Sequence, residues 1–230
     1  MKKIALIALF IATFAGVNAQ ETVPSISVVG EGTVKIVPDQ VLIKVRVESE
    51  GKSAESVKTE NDLAIGKVIK YAKSLKISEK DIKTEYVNLN KNYDYQTKQY
   101  KYAANQSMSI LLKDLSKYAE FTQGLLNAGI NRIDGVTFKS TDIDKHNANA
   151  RMKAVKDAKT KAMEYASVLN QSVGKAINIS ETGSVTPPQP IYRMEMMKAS
   201  DSMEQGEAME TIAIGEMVVK AKINIVFELK

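Results

Sequence analysis

Alternation of apolar and polar residues dominates both ends of this 230-residue chain. Val34 and Ile36 occupy even positions, whereas Val41, Ile43, Val45 and Val47 occupy odd ones. A strand running from Ser27 to Glu48 therefore changes its buried face near Pro38-Asp39. A β-bulge there restores one face on both sides, and Pro38, which has no ladder donor, suits a bulge or an edge. The C-terminus repeats the device. Ile212 and Ile214 are even, Gly215-Glu216 intervenes, and Met217, Val219, Ala221, Ile223, Ile225, Phe227 and Leu229 are odd. Two long, kinked strands are expected, lying as neighbours in one sheet.

Between them the period changes. Ala54, Val57, Asn61, Ala64, Val68, Ala72 and Leu75 recur at three and four, which predicts an amphipathic helix over Ser53 to Leu75. Asn61, the polar member of that stripe, is expected to satisfy a nearby backbone group. Ile82 to Tyr95 and Tyr100 to Leu112 predict a long tyrosine-rich hairpin turning at Gln96-Thr97. Asp114 suits a helix N-cap, Gly129 a left-handed helix end, and Ile130 to Phe138 a returning strand. This order predicts an α+β fold with a ferredoxin-like split βαβ core, β-α-β-β-α-β.

A third helix is predicted from His146 to Asn170, with Ala148, Met152, Val155, Ala158, Ala162, Ala166 and Leu169 on one face and Gly174 closing it. Its small side chains suit close approach to a sheet or to another copy. A short strand follows from Lys175 to Ser180. Thr186-Pro-Pro-Gln-Pro190 is expected to be extended, and Met194, Met196, Met197, Met203 and Met209 follow it. A Pro- and Met-rich loop over about 184–210 is therefore expected inside a single domain spanning 20–230.

Composition sets the compartment. Lys2-Lys3, the apolar run Ile4 to Val17 and the small residues around Ala19 read as a secretory signal peptide, residues 1–19. The run is shorter than a bilayer span. With no cysteine in the chain, lipid attachment, disulfides, thiol catalysis and thiolate metal sites are excluded. The net charge of +5 falls to +3 without Lys2 and Lys3, and lysines alternate with acids along the helices, so no nucleic-acid partner is expected.

Candidate chemistry is sparse. Gly30-Glu31-Gly32 is followed by a strand, so no helix N-terminus is available for a phosphate, and the glycines are expected in a turn or bulge. Asp142-Ile-Asp144-Lys-His146 lacks the glycine and the closing glutamate of a calcium loop, Asn147 and Lys153 standing in their places. His146 is the only histidine, and no nucleophile is tied to it by spacing, so it reads as a polar surface residue. Asp142 and Asp144 read as helix-start acids. Met194, Met196 and Met197 offer thioethers to copper(I), or cover an apolar surface. The hairpin tyrosines offer a binding face, although cross-strand packing also accounts for them. No catalytic, cofactor-binding or metal residue is assigned, and no enzymatic activity is expected.

Together these landmarks resemble the SIMPL-domain family of exported bacterial proteins, which includes periplasmic immunogenic antigens and a protein implicated in oxidative-stress defence. The matching residues are Val28-Val-Gly30-Glu-Gly32, Val34, Pro38-Asp39, Asn61, Asp81-Ile-Lys-Thr84, Asp114-Leu115, Gly129-Ile130 and Gly135-Val-Thr-Phe138. Ala154, Ala158, Lys161-Ala162, Gly174 and Ile212-Ala-Ile-Gly215 continue the match. The resemblance implies a periplasmic or envelope-associated protein, self-associating and without catalytic residues. Homo-oligomerisation and contact with the outer membrane are the partner expectations, and the ligand is open.

Overall fold

β1 (Ser25–Ile36) buries its even residues Val28, Gly30, Gly32 and Ile36, and β2 (Gln40–Gly51) buries its odd residues Val41, Ile43, Val45 and Val47. The phase change is not the expected bulge. At Val37 to Asp39 the chain leaves one sheet and enters another, so the two halves of the predicted strand face different cores. A computed structural model describes residues 23–181, 186–191 and 214–230. The predicted signal peptide, its cleavage point and the methionines of the predicted loop lie outside these residues.

The first sheet has the order β1-β8-β6, where β6 is Val173–Glu181 and β8 is Glu216–Leu229. β1 and β8 are antiparallel neighbours from Ser25 opposite Glu228 to Ile36 opposite Met217, as their shared periodicity predicts. β7 (Thr186–Ile191) also pairs with β8, from Thr186 opposite Lys220 to Ile191 opposite Glu216. The proline-rich start of the predicted loop is thus extended, as expected, but it is a strand of the sheet.

The second sheet has the order β3-β4-β2-β5, with β3 at Ile82–Asp94, β4 at Gln99–Leu112 and β5 at Arg132–Lys139. All its neighbours are antiparallel. Helix α1 (Ala54–Ser74) and helix α2 (Tyr118–Ala128) cover one face. Val57, Asn61, Ile65, Val68 and Ala72 form the buried side of α1, close to the predicted stripe. α2 ends at Gly129, whose φ of 110° is left-handed, as a glycine end requires. The core here is built of large side chains: Ile43, Val45, Met108, Ile110, Phe121 and Leu125 are at most 1% exposed. Among the described residues, two antiparallel sheets with three α-helices make the fold α+β.

Helix α3 (Ile143–Val168) covers the first sheet, and its buried face matches the predicted one at Ala158, Ala162 and Ala166 but not elsewhere. Ala150, Ala154, Ala158, Ala162 and Ala166 are buried, whereas Ala148, Met152, Val155 and Leu169 are exposed. Gly30 and Gly32 explain the choice. A Cβ on Gly30 would lie 1.9 Å from the Ala154 carbonyl oxygen, and one on Gly32 would lie 1.9 Å from that of Ala150. The helix backbone therefore rests directly on β1, and only alanine fits beneath it. These glycines are mid-strand, not in the expected turn. Gly174 does not close α3 either; it lies within β6 against Glu228.

One corner joins the two layers. The Asp39 N–H donates to the Lys139 carbonyl at 3.1 Å, and Asp39 Oδ1 accepts from the Thr141 N–H at 2.8 Å. The β1–β2 crossing is thereby fastened to the β5–α3 crossing, and Phe138 packs against both cores. No helix among the described residues is long and apolar enough to cross a membrane.

Candidate functional site

The tyrosine hairpin is the most exposed apolar feature on the second sheet. Glu85 is an extra residue in β3: Thr84 pairs with Met108 and Tyr86 with Ser107, so the strand changes phase between them. After this bulge Val87, Leu89, Lys91 and Tyr93 stand opposite Gln106, Ala104, Tyr102 and Tyr100. They share the helix-side face with Met108 and Ile110, yet most of them have no helix above them. Val87 is 65% exposed, Tyr100 56% and Tyr95 85%.

The outer end of the hairpin is ordered by its own side chains. Tyr93 meets Tyr95 and Tyr100 edge-on, each with ring centres 5.1 Å apart, and the Lys91 ammonium lies 4.2 Å from the centre of the Tyr100 ring. Asp94 holds the turn. Its Oδ1 accepts from the Gln96 and Thr97 N–H groups at 2.9 and 3.1 Å, and its other oxygen pairs with Lys101 at 2.7 Å. The Lys101 hydrogen bond, followed by the two backbone donors, pushes the Asp94 carboxyl far below its ordinary value. A rigid group of ring faces beside a cation suits association with apolar, aromatic or strand-like surfaces.

The opposite face of this sheet is a polar network. Asp134, the extra residue of a bulge in β5, accepts from Arg46 Nε at 2.8 Å and pairs with Arg132 at 2.9 Å. Glu48 accepts from Asn105 at 3.2 Å, and its own N–H donates to Asn131 at 2.7 Å. The hydrogen bond to Asp134 raises the Arg46 pKa first of all. These pairings hold β2, β4 and β5 together.

The other residues singled out by sequence are placed plainly. Asn61 Nδ2 donates to the buried Val47 carbonyl at 3.1 Å, the expected backbone role. His146 is joined to Asp142 through backbone alone, its N–H donating to the Asp142 carbonyl at 3.0 Å. Asp142 makes no side-chain cap bond at the start of α3. Among the described residues no three His, Asp or Glu side chains are grouped to share a metal ion. Met194, Met196 and Met197, the copper(I) candidates, lie outside the described residues.

Sequence reasoning missed a row of charges on α3. Lys161 Nζ donates to the Val29 carbonyl at 3.1 Å, the Glu31 N–H donates to Asp157 Oδ2 at 2.8 Å, and Lys153 Nζ donates to the Thr33 carbonyl at 3.0 Å. Asp157 and Lys161 pair at 2.7 Å. The Lys161 hydrogen bond, then that of the Glu31 N–H, lowers the Asp157 pKa, while Asp157 raises that of Lys161. The signal was present as a lysine, an acid and a lysine at four-residue spacing beside an alanine stripe.

This α+β chain belongs to the SIMPL family, described as proteins of unknown function (DUF541), whose pattern matches residues 26–227. Particular relatives include the 26 kDa periplasmic immunogenic protein of Brucella melitensis, 25% identical over 226 residues, covering 94% of this chain and 90% of the relative. The uncharacterized protein YggE of Escherichia coli K12 is 27% identical over 234 residues, covering 100% of this chain and 94% of that protein.

Proposed function

We propose that this chain is an exported periplasmic protein that works by association, without chemical turnover, and protects the cell envelope against oxidative or envelope stress. The observation that carries the association is the β3–β4 hairpin, with Tyr93, Tyr100, Val87 and Leu89 exposed on an edge strand and its neighbour and Tyr95 exposed in the turn between them. Second copies of the chain are the first partner, since such a surface is enriched in the residue types that anchor interfaces. Periplasmic relatives from Brucella support the compartment. Light scattering of residues 20–230 is expected to give a multiple of the monomer mass. Tyr93→Ser, Tyr95→Ser and Tyr100→Ser together are expected to return it to monomer while the thermal transition persists. A monomer at all concentrations contradicts self-association. A deletion strain with unchanged peroxide and envelope-stress survival contradicts the protective role.

A second reading is a binding module, favoured by the Lys91–Tyr100 contact, in which the hairpin holds a small ligand or peptide. The copper(I) form of this reading places the site in the methionine segment. Unchanged copper(I) uptake after joint replacement of Met194, Met196 and Met197 removes it.

A further inference from the structure

Among the described residues β1 is the outer strand of its sheet, with β8 on one side only. Such an edge carries a row of backbone N–H and C=O groups that another strand can pair with. Between Val29 and Thr33 three of those groups already have partners, supplied by a helix. Val29 O, Glu31 N and Thr33 O meet Lys161, Asp157 and Lys153 in turn. The sign of each side chain matches the backbone group it meets: an ammonium donates to each carbonyl, and a carboxylate accepts from the amide.

The match rests on two repeats of nearly equal length. Four residues of helix rise about 6.0 Å, and two residues of strand about 6.8 Å. Positions 153, 157 and 161 therefore keep pace with 33, 31 and 29 as α3 runs against β1. Over this short run the mismatch is within the reach of two flexible lysine chains. Ala150, Ala154 and Ala158 follow the same pace above Gly32 and Gly30, and their contact brings the row close enough to bond.

We propose that Lys153, Asp157 and Lys161 act as a substitute strand that closes the β1 edge, so that strand addition by another copy of this chain is blocked there. The row fixes α3 on the sheet and withholds one edge from association, whatever surface the protein uses productively.

The test removes the row without touching the alanine–glycine contact. Lys153→Ala, Asp157→Ala and Lys161→Ala combined are expected to raise the solution mass above that of the parent chain, increasingly with concentration. Adding Glu31→Pro deletes the outward N–H and is expected to restore the parent mass, because proline is tolerated on an edge but stops pairing. A triple variant with the parent mass at every concentration overturns the proposal, as does association that Glu31→Pro fails to reverse. Amide exchange on the intact protein keeps the proposal testable if the triple variant does not fold. Asp157→Ala is expected to speed exchange of the Glu31 amide about tenfold, the factor one hydrogen bond to a charged group carries. A Glu31 amide that exchanges equally fast in both proteins overturns the proposal as well.

Discussion

The two sheets solve one problem, covering an apolar face with helix, by opposite means. The second sheet meets α1 and α2 through Ile43, Met108, Ile110, Phe121 and Leu125, all bulky and fully buried. The first meets α3 through alanines set over Gly30 and Gly32, so that backbone nearly touches backbone. Large side chains hold helix and sheet apart and supply apolar area. Small ones supply little area, but bring the helix near enough for Lys153, Asp157 and Lys161 to reach the strand's own backbone. Among the described residues the large side chains leave β3 an open edge with exposed rings, whereas the small ones let α3 occupy the β1 edge between Val29 and Thr33. How closely a helix approaches thus determines which surface remains for partners.

The comparison breaks most sharply at Phe121, which is 0% exposed beneath α1 and stacks at 5.9 Å on Tyr71. Phe121→Ala is expected to cost about 4 kcal/mol in urea unfolding. Ala158→Gly, the corresponding truncation under α3, is expected to cost only about 1 kcal/mol, mostly backbone entropy. Equal losses at the two sites would show that the cores are not built differently.

Enlargement should reverse the ranking. Gly32→Ala places a methyl against the Ala150 carbonyl and is expected to cost about 3 kcal/mol, since backbone must move. Gly135, where a Cβ meets nothing within 4 Å, is expected to accept alanine within about 0.5 kcal/mol. A Gly32→Ala protein with the parent urea midpoint would mean that α3 does not lie so close.

A smaller effect is expected at Asn61, 3% exposed and bonded to Val47 O. Asn61→Ala leaves that carbonyl unpaired and should cost about 2 kcal/mol. Full stability in this variant would show that the bond contributes nothing.

The smallest effect is one of pH. Asp157 has a folded pKa below its unfolded value, through Lys161 and the Glu31 N–H, so its contribution is present above about pH 4 and is lost as pH falls through the folded pKa. Stability curves of the parent and Asp157→Asn should therefore converge below about pH 4. Parallel curves down to pH 2 would remove Asp157 from the account.

Much of this design was legible in the sequence. Periodicity located α1 and the β1–β8 pair, because each buries an apolar face with one repeat, and the Gln96-Thr97 turn between two apolar runs located the hairpin. Gly129 announced the end of α2 because few other residues take a left-handed φ. At Pro38-Asp39 the pattern is ambiguous in principle: a shift by one residue looks the same whether the strand bulges or changes sheets. Conversely, the bulge at Glu85 hid in a run where both phases carry apolar residues. The face of α3 was read correctly at Ala158, Ala162 and Ala166 but misread in its first half, because Met152 and Val155 are more apolar than Ala150 and Ala154. Burial there follows the space that Gly30 and Gly32 leave, and that space depends on residues about 120 positions away. The tyrosine surface could be seen from composition; the four-residue spacing of Lys153, Asp157 and Lys161 was visible too, but not their role, since their partners are backbone atoms.

Amide exchange followed as a function of protein concentration tests the central contrast most directly. The account predicts that β3 amides facing away from β4 exchange fast when dilute and gain protection as concentration rises, while the Glu31 amide of β1 is protected throughout. Protection of β3 that does not change with concentration, or a Glu31 amide that becomes protected only when concentrated, would contradict it.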